Sequence, residues 1–341
     1  MLYEKVLEKG CCTAISTKEM SEFKWLEKRR AGIGGSDSGA ILGMNKYATP
    51  LSVYIAKKGL LDVADGLNAN NQSIKWGKMA EAAIRDGLAK DLGLNIETAP
   101  VMFTSRENPF MLADLDGLVF VPEAMEIEGK TVEGIGGLEI KTATSRNQEF
   151  GSDEIPDSYY CQVQHYMAVT GLMWFILAVL IDKADGKIYV VPRNDEFIGR
   201  LVEEEENFWN DNVLANNPPA PTGNENEFDI VKSLPMSEEV ELDGECEAML
   251  DEKELLDAQI KELQAKSDAI KEQILMRMSA ASNGEGAEKS TAMCGSWKIT
   301  YNTQVSRRVD TNALKKAGLY DEYARESVSR VLRITRAKGT R

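Results

Sequence analysis

The chain has 341 residues, of which 43% are hydrophobic and 28% are charged, and its formal net charge is −15. This length can bury a full core, and the lack of any run of about 18 apolar residues argues against a transmembrane helix. A single histidine and five scattered cysteines without a CxxC pair argue against a catalytic triad, a disulfide framework or structural zinc. Any metal would therefore need oxygen ligands, which favours Mg²⁺ or Mn²⁺.

Charge is distributed unevenly along the chain. Residues 195–257 hold 20 acidic and 3 basic side chains, whereas residues 289–341 hold 12 basic and 4 acidic ones. An acidic protein of this kind can still present a local basic surface to phosphates. The first residues carry acids and no apolar core, which predicts that no secretory signal is present and favours a cytoplasmic protein.

Hydrophobic periodicity predicts a mixed α/β domain in the first two thirds of the chain. Residues 19–58 indicate a helix, a glycine-rich turn and a second helix, with Ser36 or Asp37 as a cap. The remaining elements are helices at 76–92, 156–170 and 195–213, strands at 101–121, 137–142, 175–181 and 187–192, and a variable hairpin at 123–136.

The pattern changes after a proline-rich stretch at 216–224. From Leu256 to Ile274 apolar residues recur at spacings of four and three, which predicts a coiled-coil or helical-hairpin seam that needs a partner helix. The predicted organisation is an α/β domain at 1–222, an acidic linker at 223–244, a coiled-coil helix at 245–282 and a basic region at 283–341. A small-residue hinge is predicted at 279–290 and a pair of strands at 295–305.

The strongest candidate site combines Asp116 with the strand Leu138-Glu139-Ile140-Lys141. Successive side chains of a strand point to opposite faces, so Glu139 and Lys141 share one face. Two carboxylates can hold a divalent cation, and an adjacent lysine can act on water, which suits phosphodiester hydrolysis. The alternative is a solvated Glu/Lys pair beside an ordinary Asp-Gly turn.

Two helices add candidate side chains. Glu81 lies among small and apolar residues, so it can point inward, although a single helical glutamate is more often exposed. Gln162 and Tyr166 are four residues apart and share a helix face, where a glutamine can orient water or grip phosphate. They can equally be an exposed polar residue and a core ring. His165 is expected to be structural.

A third candidate is the turn Arg30-Ala-Gly-Ile-Gly-Gly-Ser36. Backbone N–H groups before a helix, with an arginine nearby, suit a terminal phosphate. Glycine pairs followed by a serine also occur in everyday turns.

These motifs occur in a specific order: Arg-x-Gly-x-Gly-Gly-Ser, Trp-Gly-x-x-x-Glu, Asp-Gly-Leu, Leu-Glu-x-Lys and Gln-x-Gln-x-x-Tyr. The order resembles the YqaJ-type viral recombinase nucleases, of the lambda-exonuclease branch of the PD-(D/E)XK superfamily. The resemblance covers residues 20–215. It implies a restriction-endonuclease-like core, with a mixed central sheet flanked by helices, to which the coiled-coil extension is added.

The resemblance also implies residue roles. Asp116 and Glu139 would be metal ligands, with the carbonyl of Ile140 as a third, and two Mg²⁺ or Mn²⁺ ions would occupy the site. The remaining roles would be Lys141 on the attacking water, Glu81 as an accessory acid, Gln162 supporting Lys141 or the scissile phosphate, and Arg30, Ser36 and Tyr166 on the 5′-phosphate and DNA.

The sequence departs from the family pattern in one respect and leaves one register open. The proline of the superfamily name is absent, because Met111-Leu-Ala-Asp114 precedes Leu115-Asp116, and Asp114 becomes a rival ligand. Either Arg29 or Arg30 can be the arginine of the glycine-rich turn.

The resemblance implies a Mg²⁺-dependent 5′→3′ exonuclease on double-stranded DNA, which leaves 3′ single-stranded overhangs for phage-type recombination. It further implies a ring-shaped homotrimer and a single-strand annealing protein as partner, in a bacterium or a phage-infected host. Two alternatives remain open: a structure-selective endonuclease, and a non-catalytic DNA-binding accessory protein that works through the coiled coil and the basic region.

Overall fold

The computed structural model describes residues 1–61, 72–144, 150, 154–182, 185–282, 289–307, 309–325, 332 and 334. The polar composition of residues 68–73 predicts a loop, and most of this segment lies outside the described residues. So do part of the predicted hinge and six basic residues of the C-terminal region, namely Arg308, Arg330, Arg333, Arg336, Lys338 and Arg341. The chain divides into two compact units, Met1–Pro235 and Met236–Arg341.

The first unit is a mixed α/β structure. Its helices are α1 (Leu2–Glu8), α2 (Glu22–Arg30), α3 (Gly35–Ile41), α4 (Pro50–Lys58), α5 (Gln72–Leu92), α6 (Asp157–Thr170), α7 (Asp195–Asn207), which continues as a π-helical turn (Phe208–Leu214), and α8 (Glu225–Ser233). Its strands are β1 (Cys12–Ser16), β2 (Ile33–Gly34), β3 (Asn95–Glu97), β4 (Val101–Ser105), β5 (Met111–Asp114), β6 (Gly117–Ile127), β7 (Lys130–Ala143), β8 (Trp174–Ile181) and β9 (Asp185–Pro192).

The larger sheet has the strand order β3-β6-β7-β8-β9, in which β7 and β8 are parallel and the other neighbours are antiparallel. One face packs on α6, where Met167 and Phe175 share a buried cluster. The opposite face packs on α5, where Leu88 joins Leu138 and Ile140. The predicted mixed sheet flanked by helices is thus confirmed. Alternation along β7 directs Glu139 and Lys141 away from the face that Leu138 and Ile140 bury.

Two glycines of β7 let the rings of β8 lie close to it. A Cβ on Gly137 would stand 2.1 Å from Cζ of Phe175, and one on Gly136 would stand 2.4 Å from Cε3 of Trp174. Side chains larger than hydrogen are excluded at both positions. The glycine pair therefore fixes how β7 and β8 approach each other just before Glu139.

A second sheet, with the order β1-β4-β5-β2, was not predicted. The single strand predicted at 101–121 is instead three strands, because the chain turns between β4 and β5 and again at Leu115-Asp116 before β6. The hairpin predicted at 123–136 is mostly strand. Ile127 and Val132 pack into the core there, and the turn is confined to Glu128 and Gly129, both with positive φ.

The acidic linker predicted at 223–244 begins with a helix, α8, that belongs to the first unit. Glu227 of this helix is buried and accepts hydrogen bonds from the hydroxyls of Thr49 and Thr222. Ile230 packs in the cluster that contains Leu51. This acidic segment is therefore helical where Glu227 is hydrogen-bonded and Ile230 is packed. Its net charge alone did not predict this order.

The described residues of the second unit form one long helix, α9 (Gly244–Ala280), a hairpin and two short helices. The hairpin strands are β10 (Lys289–Cys294) and β11 (Trp297–Asn302), and the short helices are α10 (Thr311–Lys316) and α11 (Tyr320–Tyr323). The predicted helix at 245–282 matches α9 closely, whereas β10 begins within the predicted hinge. None of the helices in the described ranges is long and apolar enough to span a membrane.

His165 is a structural residue in the core of the first unit. Its Nε2 lies 2.9 Å from the carbonyl oxygen of Leu112, and its Nδ1 lies 2.9 and 3.0 Å from the two carboxylate oxygens of Glu205, which also accepts a hydrogen bond from Ser38. Burial lowers the pKa of His165, but the charge and hydrogen bond of Glu205 outweigh burial and raise the pKa above its usual value. Both ring nitrogens face acceptor oxygens, an arrangement that the doubly protonated, positively charged ring satisfies.

We expect this buried pair to make stability depend on pH. The raised pKa of His165 means that its contribution is complete below the unfolded pKa of about 6.5 and is lost as pH rises through the folded value. In thermal melts from pH 6 to pH 9, the Tm difference between wild type and His165→Gln should shrink as pH increases. A difference that stays constant over this range would show that the ring is not charged in the native state.

Candidate active site

The two predicted metal-ligating carboxylates lie at the junction of β6 and β7. Asp116 is half-buried immediately before β6, and its Oδ2 accepts a hydrogen bond of 2.7 Å from the backbone N–H of Ile140. Burial raises the pKa of Asp116, although this hydrogen bond and the charge of Lys141 oppose the shift. The strand pairing thus brings Asp116 next to the residue that follows Glu139.

Glu139 is buried, and only one of its two carboxylate oxygens has hydrogen-bond partners among the described residues. Its Oε1 accepts hydrogen bonds from Nζ of Lys141 at 2.7 Å and from Nε2 of Gln162 at 2.6 Å. Its Oε2 has no hydrogen-bond partner among the described residues. An unpaired buried carboxylate oxygen is costly, so it marks a position where a further ligand fits.

The charge on Glu139 is also poorly compensated. Burial, together with the negative charges of Asp116 and Glu81, raises the pKa of Glu139 to about 7, and Lys141 only partly opposes this. From the usual value of 4.5, such a rise corresponds to about 3 kcal/mol against the ionised form. A cation bound at Oε2 would offset this cost, so the site fits a positively charged ligand.

Lys141 is held between the carboxylate and an aromatic ring. Burial lowers its pKa, but Glu139 and Asp116 outweigh burial and raise the pKa above its usual value, so the amine stays protonated. Its Nζ also lies 5.3 Å from the ring centre of Tyr159 on α6, within cation–π range. The face shared by Glu139 and Lys141 is therefore the face covered by α6.

Helix α6 supplies the second layer of the site. Gln162 and Tyr166 are both buried, and Nε2 of Gln162 lies 3.0 Å from Oη of Tyr166. The ring of Tyr166 packs against Phe175 and over Gly35, where a Cβ would stand 2.5 Å from its Cε1. Tyr166 was predicted to bind substrate. The structure places it in the core instead, where it holds the amide of Gln162 toward Glu139.

Glu81 lies on α5, the helix that packs on the opposite face of the sheet from α6. Its side chain is half-buried, and its charge contributes to the raised pKa of Glu139. The inward orientation predicted for this helical glutamate agrees with that position. Glu81 thus joins the same electrostatic site as Asp116 and Glu139.

Of the two candidate arginines, Arg29 is the one that contacts Ser36. Nη2 of Arg29 donates to Oγ of Ser36, and its guanidinium stacks over the ring of Trp25 at 5.1 Å. Arg30, the residue predicted to hold phosphate, points instead toward Gly59 at the end of α4, where a Cβ would lie 3.5 Å from its Nη1. The physical reason is the helix: α2 includes both arginines, and adjacent residues of a helix face different directions.

Two neighbours of Arg29 were not predicted as site residues. Asp37 accepts hydrogen bonds from Gly34 N–H at 2.9 Å and from Nζ of Lys57 at 2.6 Å. Burial raises the pKa of Asp37, but Lys57 and Arg29 outweigh it and lower the pKa below its usual value. The Gly-Gly-Ser-Asp turn suggested that Asp37 is a cap, whereas nothing in the sequence around Lys57 indicated a buried ion pair.

Asp114 is half-buried, and it interacts with both Arg29 and Asp116. Burial and the charge of Asp116 raise its pKa, and Arg29 and a hydrogen bond from Trp25 oppose the shift. The rival ligand is therefore engaged with Arg29 and Trp25, while Asp116 is engaged with the strand that carries Glu139. This arrangement favours Asp116 over Asp114 as the ligand.

Among the described residues, no group of three His, Cys, Asp or Glu side chains is close enough to hold a metal by itself. A metal at this site would be held by Asp116 and Glu139, with a backbone carbonyl and water completing its oxygen ligands. The unpaired Oε2 of Glu139 and the excess negative charge fit such an ion. The residues present are thus compatible with the divalent cation that the family resemblance implies.

Comparison with known proteins identifies the class. Residues 24–173 match the YqaJ-like viral recombinase domain. The protein YqaJ of Bacillus subtilis strain 168 is 30% identical over 304 residues, which are 87% of this chain and 88% of that protein. The chain therefore belongs to the YqaJ-like viral recombinase family.

Solved structures with detectable similarity are more distant. The alkaline exonuclease LHK-Exo from Laribacter hongkongensis is 15% identical, with a TM-score of 0.42, and the match covers 57% of this chain and 94% of that one. A phage related exonuclease from Haemophilus somnus 129PT is 11% identical, with a TM-score of 0.36, and the match covers 56% of this chain and 99% of that one.

Proposed function

We propose that this chain is a metal-dependent deoxyribonuclease that degrades double-stranded DNA from the 5′ end and leaves 3′ single-stranded overhangs for recombination. The observation that carries the proposal is the buried, half-satisfied Glu139 beside Asp116 and Lys141. Membership of the viral recombinase family and the order of the five sequence motifs support the same class of reaction.

The proposed roles follow from the contacts of each residue. Two divalent cations, held by Asp116, Glu139 and the carbonyl of Ile140, would supply charge neutralisation on the attacking and leaving oxygens. Gln162 holds Oε1 of Glu139 by a hydrogen bond, which leaves Oε2 free for a ligand. Glu81 adds negative charge to the same site.

Lys141 contacts the proposed metal ligand Glu139 and keeps its positive charge. It orients the attacking water and stabilises the charge that develops on the phosphate, and it cannot compete as a ligand while protonated. Gln162 acts as a positioning residue because it donates a hydrogen bond to Glu139, and Tyr166 acts through Gln162, from which its hydroxyl oxygen accepts a hydrogen bond.

We assign the 5′-phosphate to Arg29 and Ser36. Arginine offers several N–H donors in a planar fork that matches phosphate oxygens, and the hydroxyl of Ser36 lies within hydrogen-bond reach of that fork. Assembly as a ring-shaped homotrimer and cooperation with a single-strand annealing protein are proposed on the family resemblance alone.

The test is a gel that compares end-labelled linear duplex with covalently closed circles, each with and without Mg²⁺. The proposal predicts release of label from the linear duplex only when Mg²⁺ is present, and intact circles throughout. Cleavage of the circles would indicate a structure-selective endonuclease. DNA binding without any cleavage would indicate a non-catalytic accessory protein.

A second prediction concerns the 5′ end. Wild type should degrade 5′-phosphorylated duplex faster than 5′-hydroxyl duplex, and Arg29→Ala should reduce this preference by about tenfold, which corresponds to a loss of about 1.4 kcal/mol. Arg30→Ala is the matched control, since Arg30 points toward Gly59, and it should keep the preference. Equal rates on both ends by wild type, or loss of preference only in Arg30→Ala, would refute the assignment.

A further inference from the structure

The long helix α9 carries an apolar stripe that is left open. Its 37 residues include no buried side chain. Leu256, Ile260, Leu263 and Ile270 are between 49% and 63% exposed, and Ser267 and the partly covered Ile274 continue the same spacing of four and three. Such a stripe is the seam of a coiled coil and requires another helix to cover it.

The second unit offers no helix of the required length among its described residues. The seam from Leu256 to Ile274 is about 27 Å long at 1.5 Å per residue. The two other helices described in this unit, α10 and α11, have six and four residues. Neither of these two helices is long enough to cover the seam.

The seam is complementary to itself in the antiparallel direction. Its six positions are symmetric about residue 265, so two antiparallel copies place Leu256 opposite Ile274 and Ile260 opposite Ile270, with Leu263 and Ser267 at the centre. Each of these layers pairs an a position of one helix with a d position of the other, as antiparallel coiled coils require. A two-fold interface of this kind uses the same surface on both chains.

The charges beside the seam select the same direction. In a parallel pair, Glu252 would face Asp257 of the second copy, and Lys266 would face Lys271, so like charges would meet on both sides. In the antiparallel pair, Asp257 faces Lys271 of the second copy, and this contact occurs twice. The one like-charge contact is between the two copies of Lys266 near the axis, and Glu262 lies 2.6 Å from each of these lysines within its own helix.

We propose that α9 is a self-association surface that pairs two copies of this chain as an antiparallel coiled coil. The seam buries the exposed leucine and isoleucine side chains, and Asp257 and Lys271 fix the direction. This inference does not depend on the proposed nuclease activity, because it concerns the second unit alone.

Zero-length carbodiimide crosslinking of the full chain, followed by peptide mass spectrometry, tests the proposal directly. Asp257 and Lys271 are 14 residues apart, or about 21 Å along one helix, so an amide between them can form only between two copies. A parallel pair keeps the same separation and cannot form it either. We expect the Asp257–Lys271 crosslink in wild type.

The same sample contains its own positive control. Lys253 lies 2.7 Å from Asp257 and Lys271 lies 2.8 Å from Asp268 within one helix, so both pairs should crosslink whether or not the chains associate. Intrahelical crosslinks without the Asp257–Lys271 crosslink would overturn the proposal. Association of copies through the first unit would not alter this readout.

Variants separate the seam from its charges. Leu263→Glu places a charge in the seam and should reduce the Asp257–Lys271 crosslink at least tenfold, whereas Asp268→Lys, on the outer face, should retain it.

In sedimentation velocity, Asp257→Lys and Lys271→Asp should each weaken self-association, and the double exchange should restore it. Stronger association of Asp257→Lys would show a parallel pair, because the repulsion from Glu252 would then be relieved, and would overturn the antiparallel assignment.

Discussion

Replacement of Glu139 by glutamine, or of Asp116 by alanine, is expected to lower the rate of DNA cleavage by at least about a thousandfold, or about 4 kcal/mol of barrier stabilisation. Each change removes a carboxylate that would hold the metal. Folding should be preserved, because Glu139→Gln keeps the shape of a buried side chain whose charge is unfavourable there. Single-turnover cleavage of linear duplex at saturating protein measures the loss.

Glu133→Gln is the matched control for this experiment. Glu133 is an exposed residue of the same strand, β7, and its replacement should leave the rate unchanged. If a folded Glu139 or Asp116 variant keeps activity within about tenfold of wild type, a loss below about 1.4 kcal/mol, that residue is not a metal ligand in the reaction.

Lys141→Ala should suppress turnover by about 10²- to 10⁴-fold, the usual range for a group that acts on a proton or on developing charge. Affinity for the metal should be retained, because Lys141 contacts Glu139 and does not replace it as a ligand. Lys141→Arg should rescue poorly, since a planar fork cannot take the place of a compact ammonium between Glu139 and the ring of Tyr159.

Lys130→Ala provides the control for Lys141, because Lys130 is an exposed lysine at the start of the same strand. It should cleave at the wild-type rate. Full activity of Lys141→Ala in single turnover would remove Lys141 from the mechanism, whatever its effect on stability.

Strand periodicity was sufficient to predict that Glu139 and Lys141 lie side by side. Because side chains alternate along a strand, the sequence placed Glu139 and Lys141 on one face, and the structure shows them in direct contact. Gln162 was predicted from helical spacing, and its contact with Glu139 follows from the packing of α6 on that face. These predictions depend on local geometry, which sequence encodes directly.

Other features depend on how distant elements meet. The choice between Arg29 and Arg30 is set by the rotation of α2 against β2 and α4, which a turn motif does not specify. The pair of Lys57 and Asp37 joins residues 20 positions apart on two helices. The burial of Tyr166 over Gly35 follows from contact between α6 and the start of α3, which the spacing within α6 does not specify.

The linker predicted at 223–244 also depended on contacts between distant segments that the sequence does not reveal. A run of acidic residues predicted a linker at 223–244, but Glu227 is buried through two hydroxyls on other segments. Amino-acid composition indicates how exposed a segment is on average, but it does not reveal which of its charged residues is buried by hydrogen bonds to other segments. The heptad spacing of α9 was more informative, because it predicted both the helix and the apolar stripe along it.

Calorimetric titration of Mn²⁺ into the folded protein tests the central claim most directly, because it measures the metal site without DNA or turnover. The account predicts saturable binding to wild type and to Lys141→Ala. It also predicts at least tenfold weaker binding to Asp116→Ala and Glu139→Ala. Equal affinity in all four proteins, or no saturable binding to wild type, would contradict the assignment of Asp116 and Glu139 as the residues that hold the catalytic metal.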